Sequence, residues 1–500
     1  METTIEPHKK TIFGHPIGLF VLFFTELWER FSYYGMRAIL VLYLVSETSG
    51  VNPGLGWSDK SALELYGWYT MFVYLATIPG GILADRYLGQ RKSVMIGGLL
   101  LCFGHGILAV EALWAFYTGL TFIVLGVGCL KGNISTMVGG LYDKNDHNKR
   151  DMGFYIFYMG INVGAASAAL LVGWIGETFN WHYGFGLAGI GMALGQLGYW
   201  KGQKYLKHVG NKIETKNIEN KNSTNLFLEI FKKTNSILGF LLTASLGIYI
   251  GLNGSWDYGL LIVGIAFAVG FAIVVYNDGN RIEKDRIMVT YLAFLIVIVF
   301  WGSFEQAGGL MNLYAFQKTD LALGSFMVPA SWFQSVNAIF ILIFATIVGS
   351  FWVWWKNRNK ESSSLFKMAI GVIIMGWGFF FMSAASMEYE STGSSAMYWL
   401  MFAYLFHTLG ELCASPVALS FITKLAPERW MAFMMGAYFA ATGLGNKVAG
   451  LLGESASDFG EFTIFTGIAI FCTIFGILVV LILKPLKRLT NGAEDITLES

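Results

Sequence analysis

The sequence predicts an all-α polytopic membrane protein with fourteen transmembrane helices, built as two six-helix halves plus two inserted helices. Three observations carry this. Hydrophobic residues make up 55% of 500 and charged residues only 13%, about half the charged share of a soluble domain. Fourteen apolar stretches punctuate the chain, at about 17–45, 63–84, 93–112, 116–140, 152–176, 183–203, 235–252, 257–276, 288–314, 327–355, 366–387, 396–423, 430–453 and 461–483. Each is long enough to cross a bilayer core, straight or tilted. One polar segment, Tyr205 to Lys233, breaks the rhythm after six spans. It is rich in Lys, Asn and Glu and reads as a cytoplasmic linker.

The resulting plan is six spans, a pair, then six more, which suits a transporter built from repeats. The expected division is 1–205 for the first bundle, 206–286 for linker and inserted pair, 287–485 for the second bundle and 486–500 for a cytoplasmic tail. The pair holds a single charge, Asp257, so it should lie peripheral to any polar site. With a cytoplasmic N-terminus, the odd-numbered loops contain only Lys60 and Lys318 as basic residues. Nearly all the others then face the cytoplasm, as the positive-inside rule requires, and both termini are expected inside. The first apolar stretch is too long for a signal peptide and lacks an A-x-A site, so the N-terminus should be retained.

The 60 glycines suit close helix packing in lipid. Cys102, Cys129, Cys413 and Cys472 fall in apolar stretches and read as small core residues; their spacing is not of a metal-binding type. A net charge of +1 gives no support for nucleic-acid binding.

The first span carries Glu26-Leu-Trp-Glu29-Arg30-Phe-Ser-Tyr33-Tyr34-Gly-Met-Arg37. On a helix, Glu26, Glu29, Arg30, Tyr33, Tyr34 and Arg37 share an arc of about 140°. In lipid such a stripe must face a bundle interior or a water-filled cavity. Lys131, Glu305, Glu411 and Lys447 complete a set of four acids and four bases inside spans. Pairing across a shared cavity is the economical expectation; static glue between helices is the bland alternative. Lys131 should pair with Glu26 or Glu29 when no ligand is present, and Arg37 should reach Glu305. Lys447 sits in a glycine-rich helix, where it could pair or snorkel.

Polar neighbours extend the set. Tyr155, Tyr158 and Asn162 share a face of span five. Gln306 and Asn312 follow Glu305. Trp332, Gln334 and Asn337 begin span ten. His407, Glu411 and Ser415 recur at i, i+4 and i+8 in span twelve, where Pro416 should loosen the helix. Separated charges, amides and aromatics suit a zwitterion with a peptide backbone. His407 reads as a hydrogen-bonded core histidine before a proton carrier.

Between spans two and three, Gly81-Ile-Leu-Ala-Asp85-Arg86-Tyr-Leu-Gly89-Gln-Arg91-Lys92 resembles the G-x-L-A-D-R-x-x-G-x-R-[RK] loop of the major facilitator superfamily. The corresponding loop of the second half, around Lys356 to Lys360, is basic but lacks the glycines. Glu26-x-x-Glu29-Arg30-Phe-x-Tyr33-Tyr34-Gly resembles the signature of the proton-dependent oligopeptide transporter (POT/PTR) family within that superfamily. Phe157-Tyr-Met-Gly-Ile-Asn162-Val-Gly-Ala, Phe304-Glu305-Gln306, Trp332-Phe-Gln-Ser-Val-Asn337 and Gly410-Glu411-Leu-Cys-Ala-Ser-Pro416 resemble further family blocks, in order.

The resemblance implies a major facilitator fold with the inserted pair of bacterial members. It implies a proton-coupled symporter that imports di- and tripeptides by alternating access, in the bacterial inner membrane. The proton gradient is the driving force, no cofactor is needed, and the monomer is expected to suffice. Arg37 and Lys131 would face the peptide carboxylate, Glu411 the amino group, and Asn162 and Asn337 the backbone. Tyr33, Tyr34, Tyr69, Trp332 and Ser415 would line the pocket. Glu26, Glu29, Arg30, Lys131 and Glu305 would couple protons, with Arg37 and Glu305 as a gate. Two departures stand out: Tyr438 where members often carry Trp, and Gly67 where animal members carry His.

Three other readings remain. One is a family member carrying another anion or a modified peptide, and another is a non-transporting peptide sensor. An intramembrane enzyme would need H-E-x-x-H, G-x-S-x-G or paired aspartates, and the chain has none of them. It also lacks a G-x-x-x-x-G-K-[ST] loop for ATP.

Overall fold

A computed structural model describes residues 11–143, 146–211, 234–254 and 256–493. Most of the linker expected at 205–233 and the last residues of the tail lie outside the described residues. The chain is helical almost throughout. In order the helices are α1 (Ile17–Val45), α2 (Asp59–Leu75), α3 (Thr77–Leu83), α4 (Gln90–Leu108), α5 (Leu113–Gly140), α6 (His147–Ala168), α7 (Trp174–Thr178) and α8 (Trp181–Gly202). After the linker come α9 (Thr234–Asn253), α10 (Trp256–Asp278), α11 (Arg281–Phe304), α12 (Leu310–Lys318), α13 (Phe333–Asn357) and α14 (Ser364–Thr392). The last four are α15 (Met397–Leu425), α16 (Met431–Phe459), α17 (Glu461–Leu481) and α18 (Leu483–Leu489).

Nine helical stretches among the described residues are long and apolar enough to cross a membrane. The protein is therefore a helical, multi-pass membrane protein. The remaining expected spans coincide with α1, α2–α3, α8, α9 and α16. Four charges dilute α1, and Lys447, Glu454 and Asp458 dilute α16.

Local chemistry explains the ends. Ser58 caps α2 by accepting from the Ser61 amide at 3.2 Å, and Asn180 caps α8 by accepting from the His182 amide at 2.8 Å. The break between α2 and α3 is set by Pro79, which has no N–H to offer the carbonyl of Leu75. Pro416, by contrast, leaves α15 running from Met397 to Leu425. Two segments widen to π-helix, Ala84–Leu88 in the motif loop and Ala169–Gly173 after α6.

Two compact units form. The larger comprises residues 1–213, 294–419 and 436–481. Within it α1 packs against α6 and α8, α4 against α5, α14 against α17, and α6 against α13. Two loops meet at one end of this unit, where Thr319–Asp320 pairs in parallel with Ser395–Ala396. The smaller unit comprises residues 214–293, 420–435 and 482–500. There α9 packs on α10, and Arg429 binds Asp278 at 2.8 Å and Glu283 at 2.7 Å. The four cysteines are free thiols, Cys413 and Cys472 buried and the other two partly so.

Glycine permits the closest backbone approach. A Cβ at Gly80 would lie 2.0 Å from the carbonyl oxygen of Gly128, while one at Gly81 would meet nothing within 4 Å. Gly80→Ala should therefore lower the melting temperature of the purified protein in detergent, by a loss of about 1–3 kcal/mol. Gly81→Ala should leave it unchanged. Equal melting temperatures for the two variants would show that α3 and α5 are not in this contact.

Candidate functional site

The charged stripe of α1 is buried as its periodicity requires. Glu26, Glu29, Arg30 and Arg37 are 3%, 0%, 3% and 6% exposed. Arg30 forks onto both oxygens of Glu29 and lies 3.4 Å from Glu26, one turn earlier. The second oxygen of Glu26 has no hydrogen-bond partner among the described residues. The guanidiniums of Arg30 and Arg37 sit over the Tyr34 ring at 5.7 and 4.8 Å, and Arg30 also over Tyr33 at 5.4 Å.

Lys131 departs from its expected partner. Its ammonium lies 3.9 Å from the centre of the Tyr74 ring, while the carboxylates of Glu26 and Glu29 are taken by Arg30. The reason is proximity: Arg30 follows Glu29 directly and stands one helical turn from Glu26, so it reaches both without a second helix.

Arg37 and Glu305 do meet. Nη1 of Arg37 donates to both oxygens of Glu305 at 2.9 and 3.0 Å, and the Tyr66 hydroxyl donates to Glu305 at 2.8 Å. Glu305 opens a short 3₁₀ turn, Glu305–Ala307, between α11 and α12. This turn joins the two sequence halves at a buried point. Asn312 adds a bond to the Ala38 carbonyl at 2.8 Å, and Gln334 one to the same carbonyl at 3.3 Å.

In the second half, Asn337 donates to Glu411 at 2.8 Å and to Thr408 at 3.1 Å. Ser415 lines a small apolar pocket with Val297, Phe300, Trp301, Met368 and Tyr438. Asn162 is buried and bonds the Tyr158 carbonyl of its own helix at 3.0 Å. Tyr69 is buried with its hydroxyl unpartnered among the described residues. The Trp332 indole donates to the Leu170 carbonyl at 2.9 Å. His407 is 1% exposed, and neither ring nitrogen has a partner among the described residues; it stacks on Phe379 at 4.5 Å. It is a core histidine without the expected hydrogen bond.

Lys447 is 2% exposed, lies 3.2 Å from Glu454 and 4.8 Å over the Trp68 ring. It pairs instead of snorkelling. A Cβ at Gly67 would come within 2.9 Å of the Gly450 Cα and 3.3 Å of the Lys447 stem. No histidine fits there, so the departure at position 67 is built into the packing of α2 on α16.

The POT family model matches residues 91–464. The chain belongs to the POT family. Among POT proteins it is 35% identical to the peptide transporter YePEPT of Yersinia enterocolitica, with 98% of each chain covered. It is 34% identical to a di-/tripeptide transporter of Lactococcus lactis subsp. cremoris, covering 97% of this chain and 99% of that one. An uncharacterised transporter of Bacillus subtilis, YclF, is 38% identical over 97% of both. Among solved structures, a peptide transporter POT in complex with sulfate superposes with a TM-score of 0.84 at 34% identity, covering 96% of this chain and 97% of that one. A POT family transporter in complex with 5-aminolevulinic acid gives 0.82 at 30%, covering 96% and 98%.

Sequence reasoning missed Tyr66, Tyr74 and Trp301. The first two were open to detection: Tyr66, Thr70 and Tyr74 recur every fourth residue along one face of α2. Trp301, four residues before Glu305, looked like one more apolar residue of its span.

A buried pair is costly to halve but cheap to replace whole. Glu305→Ala should lower stability by about 3–5 kcal/mol, because Arg37 is left charged and buried. The double variant Arg37→Met/Glu305→Met should lose less than that single change. Thermal unfolding of the three proteins checks it, and losses that simply add would dissolve the pair as a unit.

Proposed function

We propose that this chain is a proton-coupled symporter that imports di- and tripeptides by alternating access. The observation that carries the reading is the buried Arg37–Glu305–Tyr66 cluster, which ties one half to the other through a group that a proton can neutralise. Family membership supports it, as do relatives named peptide transporters and a solved relative in complex with alafosfalin.

The proposed architecture is a major facilitator fold with fourteen spans, divided at 1–205, 206–286, 287–485 and 486–500. The protein would lie in the bacterial inner membrane with both termini cytoplasmic, and would work as a monomer without cofactor. On that orientation the ends of α1, α7 and α16 and the starts of α2 and α13 face outward. Arg37 stands there, about 16 Å beyond Glu26 along α1.

In the proposed cycle, Arg37 and Glu305 form the outer gate. While Glu305 is ionised, the pair holds the halves together. A proton on Glu305 removes the charge, and the attraction that offset two desolvations falls away. Lys131 and Glu411 receive opposite ends of the peptide. Lys131 is suited to this because Tyr74 offsets only part of its desolvation, so a substrate carboxylate is the better partner. Glu411, oriented by Asn337, would take the ammonium. Asn162 and Asn337 hold the backbone, Tyr33, Tyr34 and Tyr69 line the pocket, and Ser415 borders the side-chain wall. Glu26, Glu29 and Arg30 form the coupled triad beneath.

In proteoliposomes, an inward proton gradient should drive accumulation of labelled dipeptide, and a protonophore should stop it. Accumulation that survives collapse of the gradient would overturn proton coupling. Competition with 5-aminolevulinic acid in the same assay tells whether the zwitterion needs a peptide bond.

Lys131→Gln should fold, with a melting temperature near that of the unaltered protein, since Lys131 closes no ion pair among the described residues. It should lose at least tenfold in gradient-driven uptake, the worth of about 1.4 kcal/mol of coupling, and retain part of gradient-free exchange. Normal concentrative uptake in this variant would remove Lys131 from the mechanism.

A further inference from the structure

The ion pair at Glu305 is not the sole tie between the halves. Glu177, at the end of α7, reaches the start of α13 in the other half. One of its oxygens accepts from the Ala330 amide at 2.9 Å. The other accepts from the Ser331 amide at 2.9 Å and from the Ser331 hydroxyl. These amides open the 3₁₀ turn Ala330–Trp332 and would otherwise lack an intrahelical acceptor. The carboxylate also sits at the positive end of a 25-residue helix.

The receiving surface is shaped for this contact. The π-segment Ala169–Gly173 supplies the Leu170 carbonyl that accepts from the Trp332 indole at 2.9 Å. At Gly173 a Cβ would lie 2.0 Å from the Ser331 hydroxyl, so only glycine lets the turn dock. Asn52, in the loop after α1, holds the main chain on either side of Glu177. Its amide donates to the Gly176 carbonyl at 2.7 Å, and its oxygen accepts from the Trp181 amide at 3.1 Å. The Glu177 side chain therefore joins the end of α7 to the start of α13, and its described partners are two backbone amides and a hydroxyl.

We propose that Glu177 is a positioning residue for transport: it clasps the N-terminus of α13 and holds the outer side closed while the site faces inward. The proposal rests on the alternating-access reading. The clasp differs in kind from the Arg37–Glu305 gate. Its donors are two backbone amides and a hydroxyl, none of them charged, so a proton at Glu305 leaves it intact. Opening therefore requires both ties to release, and Glu177 sets how often the outward-open state is visited.

The test reads accessibility. In a background with the four native cysteines replaced, Ser335→Cys is the reporter. Ser335 is 0% exposed and lies four residues after Ser331, in the first turn of α13. A membrane-impermeant maleimide added outside reaches it only when the clasp has parted. E177Q, which turns an acceptor oxygen into a donor facing an amide, should raise the labelling rate about tenfold. Gly173→Ala, which wedges Ser331 away with Glu177 intact, should raise it too. Ser331→Ala, which deletes one of three donors, should raise it by less and serves where E177Q does not fold. A merely structural Glu177 would lower the melting temperature and leave labelling of folded protein unchanged. Unchanged labelling in all folded variants overturns the clasp. Labelling needs no peptide, so absent uptake in the unaltered protein would sink the transport reading and leave the clasp readable.

Discussion

The structure depends on one constraint: charge placed among apolar helices must be matched there. Arg37 and Glu305 meet it across the two halves, 2.9 Å apart and nearly out of reach of solvent. Neither side chain has a comparable partner on its own helix, so each half is incomplete without the other. Much of the surrounding geometry serves this pair. Tyr66 supplies a third bond to the carboxylate, Tyr34 a ring under the guanidinium, and the 3₁₀ turn at Glu305 aims the side chain inward. Arg30 solves the same problem differently, by pairing within its own helix. The triad it forms lies within one half alone.

Much of this was legible in the sequence, for a physical reason. An ionisable residue inside a long apolar stretch has few places to go, so a 100° rotation per residue suffices to bring six side chains of α1 to one face. The same argument placed Glu305 opposite Arg37. Partner choice was less legible. Lys131 was expected on Glu26 or Glu29, but helical spacing had already given both to Arg30, and an aromatic face took the lysine. His407 was expected to be hydrogen-bonded, yet it packs as an aromatic ring on Phe379. Trp332 was read from a motif block that also holds Asn337, and that block gave no sign that its indole would bond the Leu170 carbonyl of the other half. Glu177 gave no signal at all. It ends a span, where an acidic residue is ordinary, and its partners are backbone amides that no side-chain pattern reveals.

Departures from regular helix mark the working parts of the larger unit. A regular α-helix spends its carbonyls and amides on itself, leaving only its ends free. The π-segment Ala169–Gly173 and the 3₁₀ turns at Glu305–Ala307 and Ala330–Trp332 release such groups where the halves touch. Leu170 offers a carbonyl, Ala330 and Ser331 offer amides, and each finds its partner on the opposite half. Backbone at membrane depth tolerates this only when buried in protein; Ala169–Gly173 and Ala330–Trp332 satisfy that condition by meeting each other, and Glu305–Ala307 by being buried.

That arrangement bears on how the seam can open. An ion pair in a low-dielectric interior changes greatly when one proton is added, because a whole charge disappears. Hydrogen bonds from backbone amides to a carboxylate at a protein edge do not respond to that proton, but water can replace them once the halves begin to part. A seam made only of ion pairs would release all at once on protonation; one made only of backbone contacts would ignore the gradient. In the proposed cycle, joining Arg37–Glu305 to Glu177–Ser331 gives a closure in which the proton weakens the tie and solvation completes the release. In that cycle a peptide held by both halves biases which way the loosened bundle rocks.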